Sequence, residues 1–308
     1  MTNKNIVKNL QGIFPPVVTP FSARGNPDEN RFKENLRRYI GVGLSGIVVA
    51  GSTGEAPYLT ELERLRLVEL AREIARPSEL LIVGTGLEST DATVRLSREA
   101  VARGADALLI LTPGYYRSRM NSALLVPHFR AVADGVKRPV IIYNIPQFTG
   151  VRMEPSALAA LSRHPNIVGL KESSGDLKYL RAILRAVKQG GRPDFRILTG
   201  SALILLDALR AGAAGGVLSQ ANFAPELCVS LYQAFLQGRM KAAQELQQRL
   251  VPLAQEISIP FGVSGIKAAL DLCGYSGGAP RLPLVALSPS DRRTVAGAIQ
   301  EARAGLDL

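Results

Sequence analysis

The sequence predicts an α/β protein, a (β/α)8 TIM barrel with a C-terminal helical extension, and two observations carry that prediction. Short apolar runs rich in Val and Ile alternate with longer amphipathic stretches, which is the pattern of strands joined by crossover helices. About eight such runs occur, and no glycine-rich dinucleotide turn follows the first of them. A doubly wound sheet would also alternate strands with helices, but these two features favour a closed barrel.

The predicted strands contain few polar residues along their whole length. Strands with this composition are buried on both faces, as they are in parallel sheets covered by helices. We therefore expect parallel pairing throughout. The predicted strands cover residues 13–19, 47–50, 81–84, 107–111, 140–143, 167–171, 195–198 and 216–219.

Helix signals lie between these strands. Thr60 and Glu63 have the spacing of a capping box, which predicts a helix over residues 61–75. A second helix is predicted over residues 28–43, where glycines near the end mark its exit. Its apolar stripe comprises Phe32, Leu36, Tyr39 and Ile40.

The alternation stops after the eighth strand. Residues 225–237, 241–257 and 263–273 look helical, and no strand is predicted between them. We therefore divide the chain into a barrel, residues 1–223, and a C-terminal helical subdomain packed on it, residues 224–308.

Composition restricts the class of protein. A chain of 308 residues with 46% hydrophobic and 20% charged residues is typical of a compact globular protein. The amino terminus lacks the apolar core of a signal peptide, and no apolar run is long enough to span a bilayer. Cys228 and Cys273 are the only cysteines, so we expect no disulfide framework and a reduced, cytoplasmic location without membrane attachment.

The net charge of +11 raises the question of nucleic-acid binding. We expect none, because the sequence shows no basic cluster with interleaved aromatic residues that would stack on bases. Attraction of small anionic substrates is the better explanation of the charge. The arginines occur at helical spacings beside glutamates, as at Arg64, Arg66, Arg72, Arg95, Arg98 and Arg103.

TIM-barrel active sites lie at the carboxyl ends of the strands, so polar residues at these ends are the first candidates for chemistry. Three strand ends are rich in them. They are residues 51–55 (Gly-Ser-Thr-Gly-Glu), 143–146 (Tyr-Asn-Ile-Pro) and 171–175 (Lys-Glu-Ser-Ser-Gly).

Lys171 ends the sixth predicted strand, and strand alternation puts it on the same face as Gly169. We expect this face to be the barrel interior, with Gly169 leaving room for a ligand. An ammonium group is costly to desolvate there, which favours the neutral amine that attacks a carbonyl. The alternative is a structural lysine paired with a carboxylate such as that of Glu172.

Residues at two other strand ends could assist a lysine that attacks a carbonyl. Ser52 and Thr53 offer hydroxyls and backbone N–H groups in a glycine-flanked turn suited to a carboxylate, although an ordinary loop has the same composition. Tyr143 could move protons during imine formation, although a buried tyrosine bonded to a carbonyl is equally common. Tyr115 and Tyr116 could supply another hydroxyl or pack an interface.

The sequence offers few residues for metal catalysis or for a cysteine nucleophile. The chain has two histidines, His128 in a helical stretch and His164 before a proline, so we expect no metal site. Neither cysteine has a histidine nearby in sequence, which argues against a thiol nucleophile. We expect no cofactor.

Four motifs, in order and spacing, resemble the dihydrodipicolinate synthase and N-acetylneuraminate lyase family. They are residues 51–55, 143–146, 169–172 (Gly-Leu-Lys-Glu) and 198–200 (Leu-Thr-Gly). The resemblance extends over about residues 12 to 300, including the C-terminal helices.

The resemblance implies a class I mechanism acting on pyruvate-type 2-oxo acids. Lys171 would form the imine and Tyr143 would relay protons. Ser52 and Thr53 would hold the carboxylate of pyruvate, and Thr53 also counts among the catalytic candidates. Tyr116 would reach the site of a neighbouring subunit, which implies a homotetramer built from tight dimers, and Gly200 and Val217 would line the pocket.

The resemblance also bears on the second substrate. In the synthase an arginine two residues after the proline of residues 143–146 grips the carboxylate of aspartate semialdehyde, and this chain has Phe148 there. Residues 115–120, 164–169 and 274–278 look closer to 4-hydroxy-2-oxoglutarate aldolase, which releases pyruvate and glyoxylate. Ser173 matches a serine that binds the distal part of that substrate, whereas Thr53 departs from the aldolase's asparagine.

We therefore expect aldol cleavage of 4-hydroxy-2-oxoglutarate. The alternatives are 4-hydroxy-tetrahydrodipicolinate synthase, a sugar-acid lyase, or a non-catalytic barrel that only binds a 2-oxo acid.

Overall fold

Eight parallel strands form a single sheet in this computed structural model, which describes residues 3–190 and 192–304. The strands are β1 Gly12–Phe14, β2 Gly46–Val49, β3 Leu80–Gly84, β4 Ala107–Leu111, β5 Val140–Asn144, β6 Ile167–Glu172, β7 Arg196–Thr199 and β8 Gly215–Val217. Their order is β1-β8-β7-β6-β5-β4-β3-β2. Backbone hydrogen bonds from Val17 N to Val48 O and from Val48 N to Pro15 O close the ring between β1 and β2. The predicted (β/α)8 barrel is confirmed.

Helix α1 precedes the first strand, further helices follow the strands and cover the outside of the barrel, and the last helices form the C-terminal extension. They are α1 Asn3–Asn9, α2 Glu29–Tyr39, α3 Glu61–Ile74, α4 Thr90–Ala102, α5 Ser122–Val136, α6 Pro146–Thr149, α7 Pro155–Ser162, α8 Leu177–Gln189, α9 Leu205–Ala211, α10 Pro225–Leu236, α11 Met240–Leu253, α12 Ile259–Leu272 and α13 Pro289–Arg303. A π-helical turn, Ala254–Ser258, joins α11 to α12. Nowhere in the described part is a helix long and apolar enough to cross a membrane.

The observed strand bounds agree most closely with the predicted ones for the strands in the middle of the chain, β3, β4 and β5. The first strand is shorter than predicted, because Pro15 and Pro16 have no N–H to donate to a neighbouring strand. The last strand ends at Val217, and Ser219 begins a 3-10 turn instead of continuing it.

Capping fixes where two of the outer helices begin. The Thr60 side chain accepts from the N–H of Glu63, and the Glu63 carboxylate accepts from the N–H of Thr60, so the predicted capping box is present. Asp28 caps α2 by a single bond, in which its side chain accepts from the N–H of Arg31. The prediction for Ile40 was wrong, because α2 ends at Tyr39 and leaves Ile40 41% exposed.

The chain after β8 contains one more helix, α13, than the sequence predicted. The unpredicted α13 buries Val295 and Ile299 together with small alanines, which give a weak apolar stripe. Helix α10 packs on β1 and α9, in the position of the eighth barrel helix. The division between residues 223 and 224 stays a prediction, and α10 argues for placing it after Leu236; residues 1, 2 and 305–308 lie outside the described part.

The interior of the barrel is a packed apolar layer, closed at its amino end by α1. Ile6 and Leu10 join lumen residues such as Phe14 and Ile141 in one buried cluster. Helix α1 was not predicted, since it is short and mostly polar. Because the amino end is filled, a ligand can enter the barrel only at the opposite end, where the predicted site residues lie.

Candidate active site

Lys171 and Tyr143 lie side by side at the carboxyl ends of β6 and β5, where they are register partners. The Nζ of Lys171 is 4.0 Å from the centre of the Tyr143 ring, and each residue is 4% exposed. Tyr143 belongs to the lumen cluster, so the lysine side chain is directed toward the mouth of the barrel, as predicted.

Glu172 does not pair with the lysine beside it. Its Oε1 accepts from the N–H of Ser174 at 2.8 Å and from Nδ2 of Asn144 at 3.2 Å. Burial raises the pKa of this carboxyl group, and the bonds from Ser174 and Asn144 oppose that effect. Across the described chain, no carboxylate lies within 4 Å of the Lys171 nitrogen in an ion pair, so the structural alternative loses its proposed partner.

The space beside Gly169 is not available to a ligand. A Cβ at this position would lie 2.7 Å from the carbonyl oxygen of Arg196 and 3.0 Å from Cδ2 of Leu10. Gly169 therefore admits the plug formed by α1 at the far end of the barrel. The expectation that Gly169 leaves room for substrate was wrong, because Gly169 lies two residues before Lys171, deeper in the barrel, where Arg196 and Leu10 fill the space.

The turn after β2 brings Ser52 to the phenol of Tyr143. Ser52 Oγ and Tyr143 Oη are 3.3 Å apart, and either could donate. The turn is closed by the N–H of Glu55, which donates to Ser52 O at 3.1 Å. Thr53 lies in the same turn, half-buried. Of the two predicted hydroxyls, Ser52 is therefore the one placed to exchange a proton with Tyr143.

Ser173 and Gly200 meet beside the end of β6. A Cβ on Gly200 would overlap the Ser173 side chain, so the glycine makes room for that hydroxyl. Ser173 Oγ is buried, and it has no hydrogen-bond partner within the described residues. A buried hydroxyl of this kind is available to a ligand. Val217, 3% exposed, lies in the lumen cluster on β8.

The aromatic residues around the mouth are exposed. Tyr116 is 68% exposed and packs edge to face against Tyr115, so within one chain it does not join Lys171 and Tyr143. The carboxylate of Glu88 holds this loop by accepting from the N–H groups of Gly114 and Tyr115. Phe148, on α6, is 72% exposed.

The histidine side chains are engaged by other residues, and the two thiols are poor nucleophiles. His128 bonds to Thr90 and His164 bonds to Asp134. Burial lowers the pKa of His128. Burial also raises the pKa of both thiols, Cys228 and Cys273, which disfavours the thiolate. In the residues that can be described, no three His, Cys, Asp or Glu side chains gather closely enough to hold a metal ion.

Charge is less evenly spread than the sequence suggested. On α3 and α4 the arginines do pair with glutamates, as Arg66 does with Glu29 and Arg95 with Glu61. A groove beside α8 and α10 is lined by several cations and apolar side chains, and of these cations Arg192 pairs with Asp194. These cations are Lys178, Arg181, Arg185, Lys188, Arg192 and Arg196.

Comparison with known proteins identifies relatives over nearly the whole chain. A family model described as the Dihydrodipicolinate synthetase family matches residues 9–302. A curated 4-hydroxy-tetrahydrodipicolinate synthase from Methanothrix thermoacetophila is 36% identical over 91% of this chain and 92% of its own length. One from Archaeoglobus fulgidus is 35% identical over 93% of this chain and 96% of its own length.

Solved structures are similar over nearly the whole chain. The prophage protein YagE from E. coli K12, in complex with pyruvate and belonging to the dihydrodipicolinic acid synthase family, is 30% identical with a TM-score of 0.90. The match covers 96% of this chain and 99% of YagE.

Proposed function

This chain belongs to the dihydrodipicolinate synthetase family and is a class I lyase, and we propose that Lys171 is its Schiff-base lysine. The observation that carries this proposal is the contact of the Lys171 amine with the Tyr143 ring inside the barrel mouth. The hydroxyl of Ser52 lies next to the Tyr143 phenol, which provides a path for protons beside the amine.

The proposed reaction begins when the neutral amine of Lys171 attacks the C2 ketone of a 2-oxo acid. The carbinolamine loses water to give a protonated imine, with Tyr143 and Ser52 moving the protons that leave nitrogen and reach oxygen. The imine nitrogen then accepts the electron pair of a bond at C3. In the pyruvate imine, Tyr143, which has given its proton to the departing water, takes a proton from C3 and leaves the enamine of pyruvate. In a 4-hydroxy substrate, Tyr143 instead takes the proton of the C4 hydroxyl, the C3–C4 bond breaks, the C4 fragment leaves as an aldehyde and the same enamine remains.

The turn formed by residues 51–55 is the proposed carboxylate site. Ser52 and Thr53 offer hydroxyls there, and backbone N–H groups of a tight turn favour an anion. A carboxylate bound at this turn would place C2 near the amine, which raises the effective concentration of the ketone.

The names of the relatives favour condensation as the complete reaction. Both relatives described above are named 4-hydroxy-tetrahydrodipicolinate synthase, an activity that the sequence leaves open as an alternative. On this basis the first candidate is condensation of pyruvate with aspartate semialdehyde, in which the enamine attacks the aldehyde carbon.

One residue of this chain favours a second candidate. Phe148 stands where the synthase has an arginine, and a phenyl ring cannot make a bidentate ion pair with a carboxylate. The unpaired hydroxyl of Ser173 could instead bind the distal part of 4-hydroxy-2-oxoglutarate. Cleavage of that substrate would give pyruvate and glyoxylate.

A comparison of both substrates in one preparation tests these candidates. The relatives' names predict a higher kcat/KM for condensation with aspartate semialdehyde, whereas Phe148 predicts faster pyruvate release from 4-hydroxy-2-oxoglutarate. Turnover of neither substrate, together with pyruvate binding that survives Lys171→Ala, would favour a non-catalytic 2-oxo-acid-binding barrel.

Assembly and location are further parts of the proposal. Exposed Tyr116 supports contact with a neighbouring subunit, as in a homotetramer of tight dimers. A structure 29% identical, with a TM-score of 0.90 over 96% of this chain and 97% of its own, is a monomeric dihydrodipicolinate synthase variant. Sedimentation analysis would therefore be informative. We propose a cytoplasmic location.

A further inference from the structure

A buried ion pair joins the turn of residues 51–55 to the C-terminal extension. Nζ of Lys267, on α12, lies 2.5 Å from Oε1 of Glu55, the last residue of the turn. Their side chains are 1% and 0% exposed. Desolvating two charges is expensive, and well-packed apolar residues often replace such a pair without loss of stability. Stability alone therefore does not explain this pair.

Both charges are fixed by further contacts. Lys267 Nζ donates to the carbonyl of Ala279 at 2.8 Å, and the backbone N–H of Arg281 donates to Glu55 Oε2 at 2.8 Å. The ammonium also lies 4.5 Å from the centre of the Phe21 ring, and the Arg281 guanidinium lies 4.4 Å from the same ring. Burial lowers the pKa of Lys267, and Glu55 opposes that effect.

The segment that supplies these contacts is itself anchored to the barrel. The guanidinium of Arg281 forms a two-pronged ion pair with Glu63 at the start of α3, with distances of 2.6 and 2.8 Å. It also donates to the carbonyl oxygens of Gly25 and Tyr58. The extension is thus bound to the loops that follow β1 and β2, at the mouth of the barrel.

Glu55 connects this anchor to the reacting groups through its own backbone. Its φ of 58° is left-handed, a conformation that costs energy for a non-glycine residue and needs surrounding contacts to persist. Its N–H closes the turn on Ser52 O, and Ser52 Oγ reaches the phenol of Tyr143. A shift of the Glu55 carboxylate would therefore move Ser52 relative to Tyr143.

We propose that Glu55 and Lys267 are positioning residues that hold the turn where Ser52 and Thr53 meet the substrate carboxylate and Ser52 meets Tyr143. The C-terminal extension is then part of the active-site architecture. This inference rests on the proposed Schiff-base chemistry of Lys171.

Glu55→Asp tests position without changing charge, since the carboxylate is kept and its reach is shortened by one methylene. We expect KM for the 2-oxo acid to rise about tenfold or more, because a misplaced turn weakens carboxylate binding. We expect kcat to fall as well, because Ser52 moves away from the Tyr143 phenol. The assay uses whichever of the two candidate substrates the wild type turns over.

The double variant Glu55→Gln/Lys267→Met tests charge. It leaves no unpaired buried charge, so its melting temperature should stay close to that of wild type, while KM stays raised. Arg72→Met is the matched control: it breaks the partly buried Arg72–Asp106 ion pair at the amino end of the barrel and should lower the melting temperature without changing KM.

Native-state hydrogen exchange of the wild type gives a test that needs no variant. Amides of residues 52–55 and 267–281 should open as one unit, because they share the Glu55 contacts. Independent opening, or a KM within about twofold of wild type in either Glu55 variant, would overturn the inference. Failure of borohydride and pyruvate to trap wild-type Lys171 would instead overturn the proposed function.

Discussion

Ser52 Oγ lies 3.3 Å from the phenol oxygen of Tyr143, whose ring in turn contacts the amine of Lys171. The hydroxyls of Ser52 and Tyr143 therefore lie next to the proposed nucleophile, Lys171, in a barrel whose amino end is closed by α1.

Tyr143→Phe should lower kcat by about 10² to 10⁴ while KM changes little, because the variant keeps the ring against Lys171 and removes only the proton carrier. The rate of imine formation, followed by quenching with borohydride at successive times, gives the measurement. Ile141→Val, in the same strand, is a control for packing in the lumen. A loss of less than about threefold in Tyr143→Phe would exclude the proton-relay role.

Phe148→Arg should increase kcat/KM for aspartate semialdehyde by about tenfold or more, because an arginine can pair with its carboxylate through two hydrogen bonds. Phe148 is exposed, so unfolding free energy should change by less than about 0.5 kcal/mol. Phe148→Lys is the matched control, because lysine carries the same charge as arginine but cannot donate two parallel hydrogen bonds to a carboxylate. An equal gain in the lysine variant would show that charge, and not bidentate geometry, is responsible.

Gly200→Ala should destabilise the fold by about 1–3 kcal/mol, because the new methyl group overlaps the Ser173 side chain. Combining it with Ser173→Gly should recover most of that loss. Chemical denaturation of the two single variants and the double variant measures the coupling. Simple additivity would mean that the two residues do not compete for the same space.

His128 should make the protein less stable in acid. Burial lowers its pKa in the folded protein below the ordinary 6.5 of the unfolded chain. Between the folded and the unfolded pKa, the unfolded chain therefore binds more protons than the folded protein. Unfolding free energy should therefore fall as pH decreases below about 6.5. His128→Gln should have a flatter pH dependence in this range, and an unchanged slope would assign the effect to other groups.

The positions of the main site residues could be predicted from the sequence because they follow local rules. Strand alternation and the carboxyl ends of parallel strands were enough to bring Lys171 and Tyr143 together, and composition was enough to place Ser52 in a turn. The roles of Gly169 and Glu55 could not be predicted in this way. The first depends on contacts with Arg196 and Leu10, and the second on a lysine, all of which lie far away in the sequence.

Local sequence patterns also failed to predict helix α13 and wrongly placed Ile40 on the buried stripe of α2. Half of the side chains that helix α13 buries are alanines, so its periodic signal is weak. Ile40 continues the apolar spacing of α2, but the helix ends one residue earlier. Periodicity alone does not determine where a helix ends.

Reduction with borohydride in the presence of pyruvate, followed by peptide mass spectrometry, tests the central claim most directly. The account predicts that the reduced pyruvyl adduct appears on Lys171, and that it is absent from Lys171→Met and strongly slowed in Tyr143→Phe. An adduct on a different lysine, or an unmodified Lys171 in protein that turns over its substrate, would contradict the account.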